Sequence, residues 1–153
     1  MVKSLEVEWR VQRFDELSCR QLYAVLAARA AVFVVEQDCP YQDLDGLDDV
    51  GLHVSGLAGS GELCAYARVL PPETRFAEPS IGRVLTVQSV RGTGLGRALM
   101  HRALAAAEQA FPGQALRISA QQYLERFYRE LGFETVSDPY PEDGIPHLEM
   151  FRP

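Results

Sequence analysis

The sequence lacks the long apolar runs and residue clusters that are typical of membrane, secreted and metal-binding proteins. No apolar run reaches the roughly 18 residues that a bilayer-spanning helix needs, and the first residues lead into an alternating pattern rather than a secretory segment. Only three cysteines and three histidines occur in 153 residues, at wide spacings and without a CxxC pair. We therefore expect no disulfide framework, no metal site, no membrane contact and a cytoplasmic location.

Positive charge is missing from one part of the sequence. No Lys or Arg lies between Ala30 and Ala67, whereas arginines gather around a glycine-rich stretch that begins at Arg91. The net charge of -6 argues against nucleic acid as a partner, because phosphate binding needs a concentrated positive surface. This segregation suits a site with an anionic ligand at one end and a cationic acceptor at the other. A solvated acidic loop explains the acidic segment equally well.

The length and the hydrophobic fraction of 47% predict a single domain over residues 1–153. Strands cluster early and strand–helix units follow, which indicates a mixed α/β fold rather than a doubly wound one. Period-two and period-3.6 patterns and turn residues predict the elements. The first half has a strand over 5–12, a helix from an N-cap at Asp15 to about Phe33, a loop over 37–49, and a hairpin of strands 53–57 and 62–70. The second half has a strand over 81–87, a helix with a buried stripe of Leu95, Leu99, Ala103, Ala106 and Ala110, a strand over 115–120, a helix over 124–131 closed by Gly132, and a returning strand after Glu134.

The glycine-rich loop Arg91-Gly92-Thr93-Gly94-Leu95-Gly96 lies between a predicted strand and a predicted helix. Backbone N–H groups at a helix N-terminus are unpaired, and the helix dipole favours negative charge there. Glycines let a phosphate approach these amides closely. Arg91 and Arg97 would add charge-assisted bonds, so the loop is a candidate pyrophosphate site.

The residues around this loop distinguish it from two other kinds of phosphate-binding loop. A nucleoside triphosphate loop requires Gly-Lys followed by Ser or Thr, but Arg97 and Ala98 follow Gly96 here. A dinucleotide-binding fold places its glycines after the first strand, whereas this loop comes after more than half of the chain. A tight turn without a ligand is the remaining alternative.

Two motifs carry a family resemblance. The segment from Val87 to Gly96 resembles the acyl-CoA loop of the GNAT superfamily of N-acetyltransferases, with Arg91, Gly94 and Gly96 filling its pattern. About 30 residues later, the run Phe127-Tyr128-Arg129-Glu130-Leu131-Gly132-Phe133 is similar to the second hallmark of that superfamily. Further segments resemble the ElaA-like branch, among them Val32-Phe33-Val34-Val35-Glu36-Gln37, Cys39-Pro40-Tyr41, Ala65-Tyr66-Ala67-Arg68 and Glu142-Asp143-Gly144-Ile145-Pro146-His147.

The resemblance implies a splayed mixed sheet flanked by helices, with CoA in the gap between the Leu85-to-Val87 strand and the Leu116-to-Ala120 strand. It implies that backbone groups of Leu85 and Val87 pair with the pantetheine. Gln121 stands where many members carry Asn, which puts one CoA contact in doubt. The residues implied for acetyl-CoA binding are Leu85, Thr86, Val87, Arg91, Gly92, Thr93, Gly94, Leu95, Gly96, Arg97 and Gln121. Dimers are common in the superfamily, so a homodimer is possible.

The implied reaction moves an acetyl group from acetyl-CoA to a primary amine of a small molecule or peptide. By resemblance, Tyr128 lies near the thioester sulfur and serves as the acid, unless it is a core aromatic whose hydroxyl is bonded locally. An amine attacks only as the free base, so a proton acceptor is needed, for which Glu36 and His147 are candidates. The candidates for acceptor binding are Arg29, Glu36, His53 and Arg68.

Each of these candidates has a structural alternative. Glu36 also fits an exposed carboxylate at a helix end, and a histidine in a strand or turn is often a structural donor. Arg29 and Arg68 also fit simple pairing with the acidic loop. Two rival functions stay open: a non-catalytic acyl-CoA-binding or sensing module, and an enzyme with another acyl donor or a reaction like that of acyl-homoserine-lactone synthases.

Overall fold

The computed structural model describes residues 6–153, which form two antiparallel sheets and three α-helices. The first sheet has the order β1-β2-β3-β4 and the second has the order β5-β8-β6, with β7 also paired to β8. The strands are β1 Val7–Arg13, β2 Leu52–Ala58, β3 Leu63–Leu70, β4 Ser80–Thr86, β5 Leu116–Gln121, β6 Glu134–Thr135, β7 Tyr140–Glu142 and β8 Ile145–Arg152. The helices are α1 Cys19–Arg29, α2 Leu95–Ala110 and α3 Glu125–Arg129. The predicted mixed α/β fold is confirmed, while Leu5 of the first predicted strand lies outside the described residues.

The two sheets touch at the start of β4 and β5. The amide of Arg117 donates to the carbonyl of Pro79 at 3.1 Å, and the Arg117 guanidinium pairs with Glu78 at 3.1 Å. Beyond this contact the strands belong to separate sheets. The result is a gap between β4 and β5 that widens away from Pro79.

Helix α2 packs its small-residue face against the first sheet. Leu95, Leu99, Ala103 and Ala106 are buried as the pattern predicts, and the burial of a leucine contributes about 1.5–3 kcal/mol. The prediction for Ala110 is wrong, because that residue is exposed in the last turn. Met100 and Ala107 complete the buried face instead.

Helix α1 begins three residues later than predicted. Asp15 lies in a short 3₁₀ turn, Phe14–Glu16, and Ser18 is the N-cap. The Ser18 hydroxyl accepts from the Gln21 amide at 3.1 Å, and the Gln21 side chain accepts from the Ser18 amide at 2.8 Å. This reciprocal capping satisfies two otherwise unpaired donors, which explains why the helix begins there. The helix then continues as a π-helix, Ala30–Glu36.

A buried ion-pair network attaches the acidic loop to α1 and the first sheet. Arg29 pairs with Asp43 at 2.8 Å and with Asp48 at 2.6 Å. Arg68 pairs with Asp45 at 2.7 Å and with Asp48 at 2.9 Å. The network is completed by Arg83, which pairs with Asp43 and Asp45. Three arginines thus face three aspartates, so the network carries no net charge.

Two carboxylates of this network, those of Asp45 and Asp48, are held in their ionised form. Burial by itself raises the pKa of Asp45, but the hydrogen bonds and charge of Arg68 outweigh it and hold that pKa below its usual value. Burial likewise opposes ionisation of Asp48, and Arg29 and Arg68 together lower its pKa. The acidic loop is therefore an ordered wall rather than a solvated segment.

Removal of one partner from this network should be costly. We expect Arg29→Gln to lower the free energy of unfolding by about 3–5 kcal/mol, because it leaves buried carboxylates unpaired. Urea denaturation followed by circular dichroism measures this change. The control is Arg13→Gln, which breaks exposed ion pairs and should cost less than about 1 kcal/mol. Equal costs for the two variants would contradict this account of the network.

Candidate active site

A cavity of about 440 Å³ fills the gap between β4 and β5. Residues 80–86 of β4 form one wall and residues 118–121 of β5 form the other. The end of the π-helix and the aromatic residues of α3 close two further sides. The cavity thus lies where the resemblance places the acyl-CoA.

A β-bulge shapes the β4 wall. Arg68 of β3 lies opposite Gly82, and Tyr66 lies opposite Leu85, so β4 carries one more residue than β3 between these pairs. Arg83 in the bulge has a φ of 52°, a left-handed value that is uncommon for a residue with a side chain. Bulges bend a strand and re-aim its side chains, and this one directs Arg83 into the acidic loop.

The glycine-rich loop presents a row of unpaired amides beside the cavity. Gly92 and Gly94 have φ values of 83° and 81°, and Gly94 is the N-cap of α2. Within residues 6–153, no acceptor takes the backbone N–H groups of residues 92–97. Open space surrounds the Cβ positions of Gly92, Gly94 and Gly96. Consecutive free amides at the positive end of a long helix fit a diphosphate.

The two arginines of this loop already have acidic partners. Arg91 pairs with Glu36 of the π-helix and also donates to the Thr86 carbonyl at 3.0 Å. Arg97 pairs with Glu130 at 2.5 Å. Charge-assisted bonds from either arginine to a phosphate therefore require exchange of an exposed ion pair.

Tyr128 lies on α3 and lines the cavity. Its ring packs edge-on against Phe127 and Phe133, and only 7% of the residue is exposed. Burial raises the pKa of its hydroxyl, so the proton stays on at neutral pH. Among the described residues, no group hydrogen bonds to this hydroxyl, which argues against the alternative of a locally bonded core tyrosine.

His147 lies on β8 and also lines the cavity. Its Nδ1 lies 2.7 Å from the Ile145 carbonyl, which can only accept, so Nδ1 carries a proton. Its Nε2 lies 3.2 Å from Oε2 of Glu142. Nε2 is thus the ring nitrogen that faces Glu142, and this contact is a hydrogen bond only when Nε2 also carries a proton.

A family model described as an acetyltransferase (GNAT) domain matches residues 25–152. The chain belongs to the GNAT family. It is 44% identical to a UPF0039 protein of Synechocystis and 43% identical to the protein ElaA of Escherichia coli, over 95% of this chain in both cases. The matches cover 95% and 96% of those proteins. The resemblance to the ElaA-like branch is therefore confirmed.

Solved structures of GNAT proteins share the fold. A Pseudomonas aeruginosa acyl-CoA N-acyltransferase superposes with a TM-score of 0.92 at 42% identity, over 97% of this chain and 100% of that one. Escherichia coli ElaA superposes with a TM-score of 0.91 at 41% identity, with the same coverage. The predicted GNAT-like arrangement is confirmed. Among residues 6–153, no helix is both long and apolar enough to cross a membrane.

The backbone of Val87 already makes two hydrogen bonds within the fold. Its amide donates to the Cys64 carbonyl at 3.0 Å, and its carbonyl accepts from the Val90 amide at 3.1 Å. The carbonyl has a second lone pair, so the predicted pantetheine contact at Val87 can use the carbonyl but not the amide. Leu85 and Thr86 line the cavity as expected.

Gln121 stands at the end of β5, in the position where many GNAT members carry Asn. Its side-chain amide donates to the Gln37 side chain at 3.3 Å, which links β5 to the end of the π-helix. Both residues line the cavity. Gln121 therefore connects the β5 wall to the side of the cavity that the π-helix closes.

Glu36, one of the two predicted bases, is paired with Arg91. A hydrogen bond from Arg91 is the main cause that lowers the pKa of this carboxyl, which makes it a weaker proton acceptor. The carboxylate lies at the cavity wall but is occupied by that guanidinium. While this pair holds, Glu36 is the partner of Arg91, and its role as a base stays a prediction.

Arg29, Arg68 and His53 lie outside the cavity wall, contrary to their predicted role in acceptor binding. Both arginines form ion pairs with aspartates of the acidic loop, which is the structural alternative given for them from the sequence. His53 is fully buried between the Tyr66 hydroxyl at 2.6 Å and the Asp48 carbonyl at 2.9 Å. Burial is the main cause that lowers its pKa, so it is a neutral structural residue.

The sequence patterns did not indicate the polar residues Arg75, Ser119 and Glu142 at the β7–β8 end of the cavity. One signal was available, because Asp143-Gly144 is typical of a hairpin turn. A hairpin there pairs Tyr140 with His147 and Glu142 with Ile145, as observed. Arg75 lies in the loop between β3 and β4, where no pattern indicates its partner.

The Glu36–Arg91 pair predicts competition with an anionic ligand. We expect Glu36→Gln to tighten acyl-CoA binding by up to about fivefold, because an exposed ion pair is worth up to about 1 kcal/mol. Isothermal titration calorimetry measures the dissociation constant. Glu8→Gln on β1 removes the same charge from an exposed pair far along the chain and is the control. Weaker binding by Glu36→Gln would show that Glu36 assists the ligand rather than competing with it.

Proposed function

We propose that this GNAT protein is an enzyme that transfers the acetyl group of acetyl-CoA directly to a primary amine. The observation that carries the proposal is the row of unpaired amides over residues 92–97, next to a cavity that contains the Tyr128 hydroxyl. The similarity to the Pseudomonas aeruginosa acyl-CoA N-acyltransferase supports it. The reaction would take place in the cytoplasm, and a homodimer is compatible with the proposal.

The residues present fit acyl-CoA at two places. The amides of residues 92–97 would hold the pyrophosphate, with Arg91 and Arg97 joining once their carboxylate partners are displaced. Leu85 and Thr86 would run beside the pantetheine, in the gap that separates β4 from β5. The apolar wall near this gap includes Phe33 and Phe127, which suits an acyl group.

The chemistry requires two proton movements. A bound acyl-CoA supplies the electrophilic acyl carbon and a thiolate leaving group. An alkylammonium must first lose a proton, and His147 Nε2 is the acceptor that the cavity offers. As the C–N bond forms and the C–S bond breaks, Tyr128 gives its proton to the sulfur, and the second proton of the amine restores the Tyr128 hydroxyl. One proton is released to solvent for each amide formed.

The first test is binding of acetyl-CoA to the loop. We expect wild type to bind it at micromolar concentration and Gly96→Glu to bind it at least about tenfold more weakly, because a carboxylate in the row of amides repels a diphosphate. Gly96 is the better site for this change than Gly94, because its φ is not positive and its Cβ position is open. Calorimetric titration measures both proteins.

The matched control is Gly96→Ala, which adds one methyl group in the same open space and should change affinity by less than about twofold. Tight binding by Gly96→Glu would move the donor site away from this loop. Tight binding by wild type with no transfer to any amine would favour the alternative, a non-catalytic acyl-CoA-binding module.

The second test concerns the acid. We expect Tyr128→Phe to lower kcat by about 10²-fold or more, the usual contribution of a general acid, without change in acetyl-CoA affinity. Release of free CoA thiol, followed by colour formation with a disulfide reagent, measures turnover. Tyr23→Phe alters an exposed tyrosine of α1 and serves as the control. Full turnover by Tyr128→Phe would remove the acid role.

A further inference from the structure

One ion pair in the cavity wall takes no part in the proposed binding of acyl-CoA. Arg75, from the loop between β3 and β4, donates to Oε1 of Glu142 on β7 at 2.5 Å. Both side chains line the cavity and are about one third exposed. The pair therefore bridges the two sheets across the open side of the site, where a small molecule can reach it.

Glu142 also lies beside the proposed base. Its Oε2 is 3.2 Å from His147 Nε2, and the Ser119 hydroxyl lies 3.4 Å from the same oxygen. Ser119 is in turn 2.5 Å from the Tyr140 hydroxyl. An ammonium that binds Glu142 would therefore be next to the nitrogen that has to accept its proton.

The charges at this end of the cavity restrict what can bind. Of the other arginines in the wall, Arg83 is committed to Asp43 and Arg91 to Glu36. Arg75 has Glu142 as its carboxylate partner among the described residues. A ligand that brings only an ammonium would take Glu142 and leave Arg75 without a counter-charge. A ligand that also brings a carboxylate would satisfy both groups.

We propose that Arg75 and Glu142 recognise the acceptor, and that the acceptor is a small zwitterion with a primary ammonium and a carboxylate, of the amino-acid class. This inference rests on the proposed acetyl transfer and names its acceptor. The ammonium takes the place of Arg75 at Glu142, and the carboxylate takes the place of Glu142 at Arg75. One ion pair within the protein is replaced by two between protein and ligand, and the guanidinium offers the carboxylate a bidentate partner.

The exchange also sets up the proton transfer. One N–H bond of the ammonium breaks and its proton goes to His147 Nε2, because the Ile145 carbonyl keeps Nδ1 protonated. Glu142 then lies next to the imidazolium and stabilises its charge. The free amine forms the C–N bond as the C–S bond breaks; Tyr128 protonates the sulfur, and the second amine proton restores the Tyr128 hydroxyl.

The test compares two acceptor mixtures with acetyl-CoA as donor. One contains the standard L-amino acids, and the other contains the corresponding C-terminal carboxamides, which keep the ammonium and lack the carboxylate. We expect wild type to release CoA thiol at least about tenfold faster with the free amino acids at low concentration, because an unpaired Arg75 disfavours the carboxamides. This comparison needs no variant, so it does not depend on a mutant that folds.

Variants then assign the preference to its residues. Arg75→Gln should raise KM for the free amino acids by about tenfold and lower KM for the carboxamides, which then leave no guanidinium unpaired, and so abolish the preference. Glu142→Gln should lower kcat/KM for both mixtures. The control is Glu78→Gln. Glu78 lies in the same loop as Arg75 but outside the cavity wall, and it pairs with Arg117 of β5.

Distinct results would overturn the two proposals. Equal or faster reaction of the carboxamides in wild type, or a preference that survives Arg75→Gln, would refute zwitterion recognition and leave amine acetylation standing. Thiol release with neither mixture, in a protein that binds acetyl-CoA by calorimetry, would refute the inference. Failure with a wider set of cationic amines as well would refute the proposed function itself.

Discussion

The gap between β4 and β5 is the constraint on which the site depends. Each strand is paired on its other side, β4 with β3 and β5 with β8, but the two meet only near Pro79 and Arg117. Strand edges that face each other without pairing leave backbone N–H and C=O groups without partners, which costs free energy where water is excluded. An extended ligand can supply those partners. The bulge at Arg83 shapes the β4 side of this gap. The Gln37–Gln121 contact links the β5 side to the end of the π-helix. The fold therefore provides an open slot with the free amides of α2 at one end and the β7–β8 hairpin at the other.

The ion pairs of this protein fall into two groups according to their burial. The buried pairs stabilise the fold, and the exposed pairs at the slot can exchange partners with a ligand. Arg29 is completely buried with Asp43 and Asp48, so removal of either side strands a charge away from water. The Glu36–Arg91 pair is 38% exposed on both sides, and water can compensate while a ligand replaces one partner. The Arg75–Glu142 pair, about one third exposed on both sides, belongs with the pairs that can open. Anionic and zwitterionic ligands can thus enter by partner exchange without leaving a buried charge unpaired.

Local patterns in the sequence predicted most of the elements and the donor end of the site. The amphipathic spacing of α2, the glycines at positive φ and the hairpin of β2 and β3 depend on neighbours within a few residues. Ser18 shows the limit, since Asp15 is as good a capping residue by type and only the reciprocal bond with Gln21 distinguishes the two.

The acceptor end was beyond such reasoning, because its contacts join distant parts of the chain. Arg75 and Glu142 are 67 positions apart, and Arg68 and Asp45 are 23 apart, so charge patterns alone leave their partners open. The neutral pairing of Arg29, Arg68 and Arg83 with three aspartates also explains why an acidic stretch forms a wall. Arg83 in a left-handed bulge carried no signal, because the residue there is not glycine.

The most direct test of the account is the response of the loop amides to acetyl-CoA. In ¹H–¹⁵N correlation spectra, glycine amides fall in a separate region, so Gly92, Gly94 and Gly96 can be followed individually. The account predicts large downfield shifts of these amides when acetyl-CoA is added, because they gain charged acceptors. Binding of acetyl-CoA that leaves the three glycine signals in place would contradict it.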